Sequence, residues 1–170
     1  MARNFSGQNV LVMGLGHFGG GASVSRYLAL QGANVTVTDM ADHNKLASTI
    51  SSLDGYDINY HLGGHVEEDF IDNALIVVNP AVEPTSKFLK IATTHGNELT
   101  SEINLFFESC PCPIIGVTGS NGKSTTTSML AHVLTACKEK STQYNNVYVG
   151  GNIGHNSLLE SLGAITKDDI

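Results

Sequence analysis

Basic residues are scarce in this 170-residue sequence: nine Lys and Arg stand against sixteen Asp and Glu, for a formal charge of −7. No cluster of Lys or Arg could trace a phosphodiester backbone, which argues against nucleic acid as a partner. Small anionic ligands stay open, because backbone amides bind them without net positive charge. Also missing is any apolar run near the roughly 20 residues of a membrane helix. "MARNFSGQNVLVMG" lacks the basic start and long apolar stretch of a secretion signal. A cytoplasmic protein with no membrane partner is expected. Cysteine is sparse too, with three in the chain. Cys110 and Cys112 flank Pro111 and Cys137 lies far away, so there is no disulfide framework. The pair at 110 and 112 reads as packing residues; a metal site there would need a second pair of ligands nearby.

What is present is an alternation. "NVLVMG" (9–14), "NVTVTD" (34–39), "DINYHL" (57–62) and "ALIVVN" (74–79) are short apolar or β-branched runs closed by turn residues, the pattern of strands. Helical stretches lie between them at 20–32, 41–53 and 85–96, the first and last ending on Gly32 and Gly96, residues suited to a C-terminal cap. A short strand near "NELTS" and a helix "EINLFFESC" complete the unit. Strands and helices taking turns imply an α/β fold with a Rossmann-like doubly wound parallel sheet. "CPCP" (110–113) then breaks the periodicity with two prolines. The domain boundary is placed there: 1–110 forms one domain, and 111–170 the truncated start of a P-loop-type α/β ATP-binding domain. In that second part "PIIGVTG" reads as a buried strand. Met129, Leu130, Val133, Leu134 and Cys137 recur at helical spacing as a core face, and "NNVYVGG" reads as a further strand.

Two motifs carry chemistry. In "GLGHFG", Gly14, Gly16 and Gly19 satisfy GxGxxG directly after a strand and before a helix, and Asp39 closes the next strand 20 residues beyond Gly19. The first glycine permits a tight turn, the second lets backbone approach a phosphate, and the third lets helix pack on strand. Three readings fit: a dinucleotide such as NAD with Asp39 on a ribose hydroxyl, the ribose and diphosphate of any other nucleotide, or a tight turn with no ligand. The second motif, "GVTGSNGKSTTTSML", departs from GxxxxGK[ST]: Val117 stands where the first glycine belongs, and Gly119 is present instead. Its chemistry is otherwise intact. Gly119, Ser120, Asn121 and Gly122 can wrap amides around phosphate oxygens, Lys123 can reach the β and γ phosphates, and the Ser124 hydroxyl can hold Mg²⁺. Thr125, Thr126 and Thr127 are poor helix formers whose hydroxyls make sense at a helix N-terminus that carries phosphates. The competing reading is a chance surface turn, against which stand the apolar run before it and the amphipathic helix after.

"GVTGSNGKSTT" resembles the ATP signature of the Mur ligases, ATP-dependent amide-forming enzymes of peptidoglycan precursor synthesis. "LTSEINLFF" (99–107) and "VGGNIG" (149–154) extend the likeness over the whole chain. A GxGxxG domain in front is similar to the members that add L-alanine or D-glutamate. The L-alanine-adding members usually have His where this chain has Asn121, so the D-glutamate-adding members are the better match. The resemblance implies that the first domain binds the UDP of a UDP-N-acetylmuramoyl-L-alanine substrate, not NAD. The residues are Gly16, His17 and Phe18 after strand one, Asp39 and Met40 with Ala41 after strand two, and Asn152 in "GGNIG". It implies ATP and Mg²⁺ held by Gly119 to Thr125, with Ser124 at the metal and Lys123 catalytic, neutralising charge on the transferring phosphate. The implied reaction is phosphoryl transfer to the muramoyl-alanine carboxylate, then attack by the D-glutamate amine, in a monomer. Two departures from the family stand out: it often has an Arg near Ala41, and "SPG" where this chain has "NPA" (79–81). The family's catalytic Glu, metal-binding His, modified Lys and amino-acid-binding third domain would follow the strand expected near Ile170, so this chain is expected to be inactive alone. A NAD-dependent oxidoreductase and a nucleotide sensor without chemistry are the readings from other classes.

Overall fold

Val, Leu, Ile and Thr in short runs are stiff at the first side-chain torsion and pack well on a pleated surface, so such runs favour strands. In the computed structural model, which describes residues 3–16, 20–138, 144–151 and 157–170, they build one parallel sheet. The chain divides into two units, Met1–Glu108 and Ser109–Ile170. In the first, β1 (Asn9–Met13), β2 (Asn34–Asp39), β3 (Ile58–Leu62), β4 (Leu75–Val78) and β5 (Glu98–Thr100) lie in the order β3-β2-β1-β4-β5. Every neighbouring pair is parallel. Each strand predicted in this unit is present within a residue or two of its expected bounds.

Helices α1 (Gly20–Leu30), α2 (His43–Ser51), α4 (Lys87–Thr94) and α5 (Glu102–Ser109) occupy the predicted helical stretches. A further short helix, α3 (Asp69–Asp72), was not expected. Its C-terminal side is fastened by Asn73, which donates to the Asp69 carbonyl (2.8 Å), and by Asn97, which donates to those of Phe70 (2.8 Å) and Ile71 (3.0 Å). α1 and α4 end as expected on Gly32 (φ +79) and Gly96 (φ +77), the left-handed backbone that a residue without Cβ adopts at no cost. Asp42 caps α2, its carboxylate accepting from the Lys45 amide at 3.1 Å.

Period-two alternation divides the sheet's side chains between two faces. Leu11, Met13 and Ile76 pack with Phe70 of α3 and with Leu89 and Ala92 of α4 into one buried cluster. Val10, Val12, Val35, Val37, Leu75 and Val77 point the other way and are buried as well. Each such side chain contributes about 1.5–3 kcal/mol by leaving water. β1 is central, buried on both faces and paired on both edges, which explains its unbroken apolar run.

The second unit departs from expectation. Residues 113–119 form no strand, and Ile114 and Ile115 are exposed. α6 (Lys123–Lys138) starts where predicted, yet none of its residues is buried; Met129 is 65% and Val133 55% exposed. An apolar stripe buries only against a partner surface, and the described residues of this unit include no strand to supply one. "NNVYVGG" is likewise not a strand. It does carry a fragment of a parallel ladder: Ile170 donates to the Asn146 carbonyl (2.9 Å) and Tyr148 to that of Ile170 (2.8 Å). Asp169 fixes this corner by accepting from Thr166 N (2.7 Å), Thr166 Oγ1 (2.8 Å), Asn146 N (2.8 Å) and Asn146 Nδ2 (3.0 Å). These bonds, the backbone one from Thr166 foremost, hold its carboxyl below the usual range. α7 (Leu158–Ser161) buries Leu159. No helix among the described residues is long and apolar enough to cross a membrane.

Candidate functional site

The chain runs outward from β1 to β2 to β3, then returns to place β4 on the other side of β1. Ligands of open α/β sheets bind at such a reversal, outside the carboxyl ends of the strands. The residues there are the loop after β1, the end of β2 and the turn after β4.

The loop opens at Gly14 (φ +95), where an added Cβ would lie 2.9 Å from Asn79 Cβ, so the tight turn and the close approach coincide. Asn79 closes the reversal: its amide donates to the Met13 carbonyl (3.0 Å) and its Oδ1 accepts from Ala81 N (3.0 Å). Val82 N donates back to the Asn79 carbonyl (2.9 Å), completing a turn. Among the described residues only glycines have positive φ, so "NPA" makes this turn without a glycine at position 81. At the other end of the loop, a Cβ on Gly21 would overlap the carbonyl oxygens of Gly14 and Leu15. Gly21 therefore makes the close helix-to-loop approach among the described residues; Gly19, His17 and Phe18 lie outside them.

Asp39 stands at the end of β2 and is tied to this loop. Its Oδ2 accepts from Leu15 N (2.8 Å) and Gly16 N (3.1 Å), and its Oδ1 from Ala41 N (2.8 Å). The structure thus brings Gly16 and Asp39 together. Met40, next along, exposes 68% of its surface. The glycine pair after β3 fastens this edge, Gly63 N donating to the Ala41 carbonyl (2.9 Å) and Gly64 N to that of Asp39 (3.1 Å). His65 follows, its Nδ1 2.8 Å from Thr38 Oγ1 and its ring edge-on to Phe70 and Phe88. Burial, opposed by the charges of Asp39 and Asp69, pushes its pKa below the ordinary value of 6.5. Reading the sequence missed Thr38, Gly63, Gly64 and His65; "LGGH" directly after a strand end was the available signal.

In the second unit Gly119 (φ +148) and Gly122 (φ +75) shape the loop that leads into α6. Lys123 Nζ donates to the Gly119 carbonyl (2.5 Å), folding over its own loop. Gly119, Ser120, Asn121, Gly122, Lys123, Ser124 and Thr125 are contiguous and exposed at the N-terminus of a 16-residue helix, with hydroxyls and backbone N–H groups open to a ligand. Asn152 lies outside the described residues. Cys110 and Cys112 have their sulfurs 3.5 Å apart. Burial first, then the Cys110 thiol, push Cys112 up to about 11. Among the described residues no group of three or more His, Cys, Asp or Glu could hold a metal ion.

Comparison with known proteins bears on both units. The chain is 44% identical over 161 residues to the UDP-N-acetylmuramoylalanine--D-glutamate ligase of Roseiflexus sp. (strain RS-1), covering 95% of this chain and 33% of that protein. It is 40% identical over 155 residues to the protein of that name from Geobacter metallireducens, covering 91% of this chain and 32% of that one. It thus spans about a third of the length of these relatives. Among solved structures it is similar to a pseudomurein peptide ligase type C from Methanothermus fervidus, at 26% identity and a TM-score of 0.49, over 86% of this chain and 28% of that one. The family model described as Mur ligase MurD-like, N-terminal domain, matches residues 8–101, which is the parallel sheet and its reversal. With more than half of its length so matched, the chain belongs to the Mur ligase family.

Proposed function

We propose that this chain is the N-terminal part of an ATP-dependent ligase that adds D-glutamate to UDP-N-acetylmuramoyl-L-alanine. The observation that carries the reading is the 44% identity to a D-glutamate ligase across 95% of the chain. Residues 1–110 serve as the domain that holds the UDP of the substrate, through the loop of Gly16, His17 and Phe18 and the end of β2 at Met40, with Asp39 tying the two together. The reversal of strand order and the glycine loop support this placement. Residues 111–170 open the ATP domain. The donor set there fits a triphosphate with its metal: free helix N-terminal amides, one ammonium, and the hydroxyls of Ser124 and Thr125. ATP supplies the phosphoryl group that activates the muramoyl-alanine carboxylate toward the D-glutamate amine. Lys123 exchanges its bond to the Gly119 carbonyl for phosphate oxygens and neutralises their charge, while Ser124 offers its hydroxyl to Mg²⁺. A cytoplasmic monomer fits the same reading.

Titrating the chain with UDP and with NADH tests it. Saturable UDP binding with no response to NADH is expected; tight NADH binding with indifference to UDP would replace the ligase reading by an oxidoreductase one.

A further inference from the structure

We infer that Asp39 is a positioning residue that fixes the start of the β1–α1 loop, Leu15 and Gly16, and that it does not read the ribose of the bound nucleotide. The inference rests on the UDP-binding reading and sharpens it. An acidic residue ending the second strand of a glycine-loop domain is usually assigned to a ribose hydroxyl. Here the register places it differently. Met13 pairs with Thr38, so Asp39 lies beside the chain just as it leaves the sheet. Three successive loop amides are then held from β2. Gly14 N donates to the Thr38 carbonyl (2.8 Å), and Leu15 N and Gly16 N donate to Asp39 Oδ2 (2.8 and 3.1 Å).

The other carboxylate oxygen accepts from Ala41 N (2.8 Å), so the side chain also turns the chain after β2. That turn is fastened in its own right by Gly63 N and Gly64 N, and swinging the carboxylate toward a ligand would give up all three of its bonds to backbone donors. A carboxylate accepts about four hydrogen bonds, and three here come from backbone donors that the fold already fixes. The charge on Asp39 disfavours a second anion on the two loop amides it holds, those of Leu15 and Gly16. Its work is to fix Leu15 and Gly16 against the end of β2 before any nucleotide arrives.

Amide hydrogen exchange without ligand, combined with a cycle of one variant against two nucleotides, tests this. In D39A the amides of Leu15, Gly16 and Ala41 should exchange at least tenfold faster, while Val10 to Val12 in β1 keep their rates. UDP and 2′,3′-dideoxy-UDP, titrated into wild type and D39A, should weaken by the same factor. Unchanged exchange at Leu15 and Gly16 would overturn the inference. So would a D39A chain that loses affinity for UDP at least fivefold more than for the dideoxy analogue, the mark of a lost ribose contact. If D39A does not fold, D39N carries the same two readouts, since its amide keeps the shape and loses the charge and one strong acceptor. If wild type binds neither nucleotide, the UDP reading falls, and the exchange result still decides the role of Asp39.

Discussion

Among single residues, Gly21 offers the plainest consequence. A methyl group there would overlap the backbone carbonyls of Gly14 and Leu15, which cannot move without displacing β1. Gly21→Ala should destabilise the first unit by about 1–3 kcal/mol through overpacking, lowering the melting temperature by roughly 4–8 °C for each kcal/mol. At Gly20 an added Cβ would meet only the flexible Glu102 carboxylate, at 3.1 Å, so Gly20→Ala is the control and should melt within a degree or two of wild type. Equal melting shifts in the two variants would contradict the packing role. The fingerprint in the sequence pointed to Gly14, Gly16 and Gly19 as the working glycines. It could not separate Gly19, Gly20 and Gly21, because the choice depends on the phase of α1 against the loop, a three-dimensional quantity. Asp39 was legible as a residue of the site for the same reason that its partners were not. Spacing puts a carboxylate at a strand end, and the path of the loop decides whether backbone or ligand meets it.

Local elements were read with more success than their surroundings. The strands of the sheet and the α1, α2, α4 and α5 segments follow from hydrophobic period and cap chemistry, both local properties. α6 was equally legible as a helix, but its burial was not. Periodicity tells which face seeks a partner, never whether one is present. The segment after β3 was unread because its bonds are distant, Thr38 and His65 being separated by 27 residues. That segment makes a pH prediction. Burial favours neutral His65 in the fold, so the unfolded chain takes up the proton first. The stabilisation is present in full above about pH 6.5 and is lost as pH falls through the lower folded value. Urea midpoints of wild type and His65→Gln at pH 7.5 and 5.5 check this. Wild type should lose more stability than the variant over that interval; parallel losses would exclude His65 as the source.

For the molecule as a whole, the two units differ in how much apolar surface each covers, and stability should follow. Native-state hydrogen exchange should find Val10 to Val12 and Ile76 to Val77 slowest, near the global unfolding free energy. The amides of α6 from Met129 to Leu134 should exchange orders of magnitude faster, since none of that helix is buried. Comparable protection in both would mean that α6 finds cover in solution. Parallel pairing was legible from the alternation of strand and helix, whereas the order β3-β2-β1-β4-β5 was not, because it depends on where the chain turns back. That order also bears on how the protein is made. β1 pairs on one side with β2, which follows it closely, and on the other with β4, Val10 lying opposite Leu75. On a ribosome adding 5–20 residues per second, the central strand would wait roughly 2–7 s between the arrival of Asp39 and that of Leu75 with one edge bare. During that interval a nascent chain carries its most apolar strand open to pairing with any other, which makes the β4 segment the step that ends its exposure to aggregation and to chaperones.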